Sequence, residues 1–435
     1  MRFFRYALAT GLARGVVGTL GIECGSSPDT ATDVEALEKK EDGAPLLGVG
    51  HFDSRQFSHI VTIPDVHGDA EFFIKSLWTA FEQVEPIDHG ISEAVFTERI
   101  TEIAETVTFP SGIPSIEQIP EPMSRLGNRV VIVQLGDIMD RGPQSLFAYQ
   151  ILASIETAIG WKLIQLFGNH ELLLLNPSCR AAGSNCNRTV RSMDISWNND
   201  PTDIPNTNAP LGIVDLFGWD GKLRNYILTN NLVMARIGTP IREGEYSIDR
   251  KRPDTLFVHA GLDTQWASRF LLMQRRPDDW ASLIDLVNRG KREDFSTNPQ
   301  ISADFAWDPS SPVYVRRLSE AKIYQLPTLC SDLEQLMTRL HVSRVIVGHT
   351  PVFEHFTRVL CDDKFFITDV AMSRSMELDQ TGNAAGSGQP YALVMNLKEE
   401  GAEVESLTAH YNHPNPTEHH PAATPGRTVS EVLYP

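Results

Sequence analysis

A β-prone run that ends in a cluster of Asp, His, Asn and Gly occurs three times in the first 171 residues, and this recurrence constrains the fold more than any other feature. His59-Ile60-Val61-Thr62-Ile63 leads into Asp65-Val66-His67-Gly68-Asp69. Residues 129–134 lead into Gly136-Asp137-Ile138-Met139-Asp140-Arg141-Gly142, and residues 161–167 lead into Gly168-Asn169-His170-Glu171. After the first cluster, Phe72, Phe73, Leu77, Phe81 and Val84 recur at helical spacing, and a helix is expected over 143–159 after the second. Further strands are expected at 232–236, 255–258, 344–347, 365–368, 391–397 and 404–410. Strand, polar loop and helix, repeated and then followed by strands, is the pattern of an α/β sandwich. Polar clusters at strand ends are where open α/β sheets place their ligands.

The chain has 435 residues, and one large α/β domain with tails accounts for them. Residues 1–26 read as a targeting segment: Arg2 and Arg5 precede an apolar stretch, and no acidic residue occurs before Glu23. A secretory signal and a mitochondrial presequence both fit this leader, and no membrane association is expected beyond it. Residues 27–58 read as a flexible lead-in and 59–410 as the main domain. Two stretches, 85–128 and 176–210, read as insertions over its surface. A disordered tail is expected over 411–435. The five cysteines do not have zinc-type spacing; Cys179 and Cys186 flank a Gly/Asn-rich loop and are read either as a small disulfide or as two thiols. Asn187-Arg188-Thr189 has the pattern of an N-glycosylation acceptor. With 56 acidic against 38 basic residues and a formal charge of -18, the surface repels a phosphate backbone, which excludes nucleic acid as an expected partner.

The chemistry follows from the residue types at the strand ends. A two-metal hydrolase needs two divalent cations about 3.5–4 Å apart, held by ligands on rigid elements. Carboxylate, imidazole and amide oxygen together suit manganese, iron or zinc. Asp65, His67, Asp137 and Asn169 supply such donors, and so do His259 in Val258-His259-Ala260-Gly261 and His349 in Gly348-His349-Thr350-Pro351. Each lies just past a β-prone run. Singly, each segment also fits an ordinary turn, with Asp140 as a helix N-cap or the histidines in the core. Their order makes the metal reading the economical one.

Together these segments resemble the calcineurin-like metallophosphoesterases, and within them the phosphoprotein phosphatase family, over residues 59–410. The resemblance implies a four-layer α/β/β/α sandwich with the metal site at the C-terminal ends of the strands. It implies that Asp65 and His67 bind a first metal ion, that Asp137 bridges, and that Asn169, His259 and His349 complete the second. A metal-bridging hydroxide would attack phosphorus, with His170 as general acid and Asp140 orienting its imidazole. Arg141 and Arg316, with Asn169, would bind the substrate phosphate, and Arg317 is the neighbour that could take the place of Arg316. The stretch Phe366-Ile367-Thr368-Asp369-Val370-Ala371-Met372-Ser373-Arg374 departs from the eukaryotic type and resembles the bacterial-like Shewanella-like protein phosphatases. The implied activity is dephosphorylation of serine and threonine in phosphorylated proteins. A symmetrical dinucleoside tetraphosphatase shares the metal motifs, and a phosphoprotein-binding scaffold is the alternative from outside the enzymes.

Overall fold

The structure, a computed structural model, describes residues 49–85, 89–115, 120–142, 144–175, 221–239, 254–297, 308–353, 356–373, 389–397 and 406–411; within 291–297 and 406–411 it describes the backbone. The leader, the Cys179–Cys186 loop with its Asn187 triplet, the 176–210 stretch, Arg374 and the terminal tail lie outside the described residues. Among the described residues, no helix is long and apolar enough to cross a membrane.

Two six-stranded mixed sheets dominate. The first contains β2 (His59–Ile63), β5 (Val130–Gln134), β6 (Lys162–Leu166), β7 (Asn231–Leu232), β13 (Tyr391–Asn396) and β14 (Ser406–Tyr411), in the order β14-β13-β2-β5-β6-β7. Its β2, β5, β6 and β7 run parallel, and β13 and β14 pair antiparallel at one edge. The second contains β1 (His51–Asp53), β8 (Met234–Gly238), β9 (Thr255–Val258), β10 (Arg344–Val347), β11 (Arg358–Leu360) and β12 (Phe365–Ile367), in the order β1-β8-β9-β10-β12-β11. Here β9, β10 and β12 run parallel. The short β3 (Val107–Thr108) and β4 (Ile113–Pro114) form a separate hairpin.

All five residues of β5 and all four of β9 are buried, so both faces of these central strands are covered. Helices α1 (Ala70–Val84) and α3 (Ser145–Ala158) pack on the first sheet, and the later helix over Leu283–Thr297 packs on β8 of the second. β6 and β8 meet where the sheets approach one another. Parallel strands buried on both faces read as unbroken apolar runs, which is how Val-Val-Ile-Val marks β5.

The structure differs from the sequence expectations in four places. Residues 51–53 form an edge strand beside β8, so the ordered fold begins before His59. The 85–128 stretch carries a helix, α2 (Glu93–Glu105), which buries Phe96, Ile100, Ile103 and Ala104 against α3. Those positions follow the i, i+4, i+7, i+8 rule of an amphipathic helix, so the stretch contributes to the core rather than lying over it. The strand expected at 232–236 is two strands in different sheets: the chain crosses at Val233, where Asn288 Oδ1 accepts from the N–H groups of Val233 (2.7 Å) and Met234 (3.2 Å). Finally, Cys330 and Cys361 form a disulfide with Cα atoms 5.2 Å apart. It ties the helix at Leu326–Leu340 to the turn between β11 and β12.

Candidate active site

Both sheets present the C-terminal ends of parallel strands to one region. From the first come the loops that follow β2, β5 and β6; from the second, those that follow β9 and β10. Backbone hydrogen bonds lock these loops together. Val66 and His67 donate to the carbonyl of Asp137 (3.0 and 2.9 Å), Gly142 donates to that of His67 (2.8 Å), and Gly348 donates to that of His259 (2.8 Å). Such close approach requires Gly168: a Cβ there would collide with the backbone N and carboxylate of Asp137. His67, Asp137, Asp140, Arg141 and His349 all have positive φ, between 47° and 75°. Left-handed backbone at non-glycine residues costs energy and persists only where surrounding bonds hold it.

At Asp137 that bond comes from a residue whose role was not evident in the sequence. Glu171 lies in the first turn of the short helix α4 (Asn169–Leu175) and is fully buried. Its carboxylate accepts from the N–H groups of Asp137 (2.8 Å), Ile138 (2.9 Å), Met139 (3.3 Å) and Gly168 (2.9 Å). It thereby fixes the loop that carries Asp137 to the turn that carries Asn169 and His170. The only sequence signal was an acidic residue directly after His170.

Around Asp137 the side chains converge. Its Oδ2 lies 3.8 Å from His67 Nε2, 3.7 Å from His170 Nε2 and 3.5 Å from His259 Nε2. Two groups of potential ligand atoms share it: His67, Asp137 and His170, and Asp137, His259 and His349, with the atoms of each group within 4.8 Å of one another. Asp65 Oδ2 stands 4.0 Å from His67 Nε2, and its carboxylate accepts the N–H of His349. Asn169 Oδ1 is 3.1 Å from His259 Nε2. The structure therefore brings together Asp65, His67, Asp137, Asn169, His259 and His349, from both sheets.

Which nitrogen of each imidazole faces the centre is set by its other bond. His67 Nδ1 donates to the Met139 carbonyl (3.3 Å) and His259 Nδ1 to that of Leu135 (2.8 Å), so each turns Nε2 inward. His349 differs: its Nε2 accepts from Arg316 Nε (3.0 Å), so in the metal-free protein the neutral ring carries its proton on Nδ1. His170 Nδ1 donates to Asp140 Oδ2 at 2.6 Å, and its Nε2 lies 3.5 Å from Arg141 Nη2.

The protonation states follow from this crowding. Burial, then the positive charges of Arg141 and His170, hold the His67 pKa well below its ordinary value; burial, His259 and Arg316 do the same for His349. Burial would raise Asp137, but the imidazoles of His259, His170 and His67 outweigh it and keep the carboxyl ionised. Burial would lower His259, and Asp137 and Asp65 reverse that, holding it at about 9. For His170 burial is again outweighed, by Asp137 and Asp140, and its pKa is raised. Burial and the nearby Asp369 push Asp65 well above the carboxylate range.

The two arginines that competed for one role are separated by the structure. Arg316 reaches His349, donating also to its carbonyl (3.2 Å), whereas Arg317 turns away to Asp263 (3.3 Å) and Asp332 (3.5 Å). Arg141, exposed at the rim, is next to His170.

No family model matches the chain. An uncharacterized protein of Schizosaccharomyces pombe is 23% identical over 256 residues, covering 58% of this chain and 64% of that protein. Shewanella-like protein phosphatase 2 of Arabidopsis thaliana is 23% identical over 278 residues, covering 57% of this chain and 63% of the relative. The chain thus spans less than two thirds of the length of these curated relatives. Among solved structures, a cold-active protein-tyrosine phosphatase of a psychrophilic Shewanella species overlays with a TM-score of 0.45 at 17% identity, covering 83% of this chain and 82% of that one. A protein serine/threonine phosphatase from Saccharomyces cerevisiae overlays with a TM-score of 0.40 at 11% identity, covering 84% of each chain. The likeness to the Shewanella-like phosphoprotein phosphatases that the motifs carry is shared by a relative bearing that name.

Proposed function

We propose that this protein is a metal-dependent phosphoprotein phosphatase that hydrolyses phosphoserine and phosphothreonine esters. The observation that carries the reading is the pair of ligand groups sharing the Asp137 carboxylate. The donors fit two divalent cations: imidazole, carboxylate and amide oxygen suit manganese, iron or zinc. Asp65 and His67 would hold one ion; Asn169, His259 and His349 the other; Asp137 both. Two such cations, when bound, supply Lewis acidity toward the phosphoryl oxygens and acidify water.

The chain's own residues do the rest. Arg141 and Arg316, at the edge of the cluster, take up the phosphoryl oxygens through planar guanidinium donors, with the Asn169 amide beside them. Water adds to phosphorus while the bond from phosphorus to the seryl or threonyl oxygen breaks. The electron pair of that bond leaves on the alkoxide, and His170 gives it the Nε2 proton. Asp140, on Nδ1, keeps the ring oriented and, together with Asp137, raises its pKa, which favours the protonated form. The products are the free alcohol and inorganic phosphate.

The His170–Asp140 pair favours alkyl over aryl esters. A tyrosyl phenolate, with a pKa of about 10, leaves with less help than an alkoxide. The test compares a phosphothreonine peptide, a phosphotyrosine peptide and diadenosine tetraphosphate in manganese buffer. The phosphothreonine peptide is expected to be hydrolysed at least tenfold faster than the tetraphosphate, and His170→Ala to cost it more than the phosphotyrosine peptide. Preferred cleavage of the tetraphosphate would overturn the substrate reading.

A further inference from the structure

Beyond the ligands assigned above, one buried carboxylate beside the site has half its hydrogen-bonding capacity unused. Asp369 is 1% exposed. Its Oδ1 accepts the N–H of Ala371 at 3.0 Å, a local turn contact. Its Oδ2 has no hydrogen-bond partner among the described residues. A buried ionisable oxygen with no donor costs stability, so its retention there calls for a donor beyond the described residues.

The topology says where that oxygen stands. β12 runs parallel to β10 with Val347 beside Ile367; just past the strand ends Thr368 donates to the Val347 carbonyl (2.8 Å), and the loop after His349 returns so that Val352 donates to that of Asp369 (2.7 Å). Two residues beyond the paired positions come His349 on one strand and Asp369 on the other. His349 is the residue whose N–H binds Asp65. The segment after Asp369 then crosses the Asp65–His67 side: Ser373 Oγ reaches the His67 carbonyl at 3.5 Å, and Met372 Sδ packs on Ser76 Oγ. After burial, Asp369 is the strongest influence that raises the pKa of Asp65. Asp369 is not among the side chains whose ligand atoms converge within 4.8 Å.

We propose that Asp369 is a positioning residue for the cation held by Asp65 and His67, its Oδ2 accepting a hydrogen bond from a water on that cation. A water between Asp369 and that cation gives the orphaned oxygen the hydrogen-bond donor it lacks, which direct ligation would not. Groups that orient what surrounds a bound metal ion typically change its affinity about 10–100-fold. The inference rests on the two-cation reading above and extends it to a residue on the segment where this chain departs from the eukaryotic pattern.

The test uses Asp369→Asn, which retains an oxygen for the Ala371 N–H and removes the anionic one. Manganese(II) is titrated into the chelator-treated full chain by calorimetry, and melting temperatures are recorded with and without metal. The expected result is one of two manganese sites weakened about 10–100-fold, with the metal-free melting temperature unchanged or raised. Unaltered affinity at both sites would overturn the proposal. A fall in affinity accompanied by a lower metal-free melting temperature would also overturn it, since Asp369 would then only hold the turn. If the unsubstituted protein took up no manganese, the two-cation reading itself would fail, and this inference with it.

Discussion

The two ends of strand β9 bury ionised groups in opposite ways. At its start, Asp254 meets Arg236 at 2.7 Å, both side chains 2% exposed. The pair is complete: Arg236 also donates to the carbonyls of Thr239 (3.2 Å) and His341, and the other Asp254 oxygen accepts the Thr239 N–H (2.7 Å). Just past its other end, His259 enters a cluster with Asp65, Asp137 and Asp369 in which charges do not close. Asp65 is pushed up, His259 holds a proton to about 9, and left-handed backbone accumulates. A buried ion pair that satisfies itself is structure. A buried cluster whose protonation demands conflict marks a candidate functional site, since perturbed groups gather at such places.

If that contrast is right, removing His170, the proposed general acid at the unbalanced end, gives the largest effect. His170→Ala should lower kcat for a phosphothreonine peptide by about 10²–10⁴-fold while bound metal, measured by elemental analysis, stays near its original level. Equal losses of metal and activity would mean that His170 is chiefly a ligand.

At the other end, Arg236→Met leaves the Asp254 carboxylate buried without its partner. Breaking a buried pair costs about 3–5 kcal/mol, to be read from chemical denaturation, with KM for the peptide unchanged. Asp65→Asn should do the reverse: the metal-free protein keeps or gains stability, because a group held away from ionisation is removed, while metal affinity falls. Similar destabilisation by both substitutions would erase the distinction.

A smaller, pH-dependent effect sharpens it. In metal-free protein His259 has its pKa raised from 6.5 to about 9, so the stability it contributes is complete below 6.5 and lost as pH rises through 9. Asp369, raised by burial from 3.8 to about 6, also favours the protonated folded form, and that contribution declines as pH rises between those values. In the lower window the depressed His67 and His349 act in the opposite direction, so the test is the upper one: thermal melts of chelated protein should fall as pH rises from 6.5 to 9, and saturating manganese should flatten the curve. A metal-free melting temperature that climbs from pH 6.5 to 9 would contradict this assignment. The smallest effect separates the adjacent arginines: Arg316→Lys should raise KM severalfold, and Arg317→Lys, at a surface ion pair, should leave it near its original value.

The contrast also explains what the sequence made legible. Asp65, His67, Asp137, Asn169, His259 and His349 could be found because each follows a β-prone run, and strand ends were the one place where polar residues had a common reason to occur. The parallel cores of β5, β9 and β10 were legible as apolar runs bounded by turns. Glu171 and Asp369 gained no role, because their parts depend on backbone groups and register that only folding assembles. The crossing at Val233 was hidden because Asn288, which holds it, lies 55 residues away. Helix α2 was obscured by Pro and Glu in its surroundings, although Phe96, Ile100, Ile103 and Ala104 carried the helical period. The Cys330–Cys361 bond depended on a helix meeting a turn 31 residues on, for which spacing gives no rule.

The central claim is that Asp137 lies between two cations. Electron paramagnetic resonance of the manganese-loaded full chain tests it most directly. A pair about 3.5–4 Å apart gives an exchange-coupled spectrum, and Asp137→Asn should abolish it. A spectrum of isolated manganese ions at full loading would contradict the account.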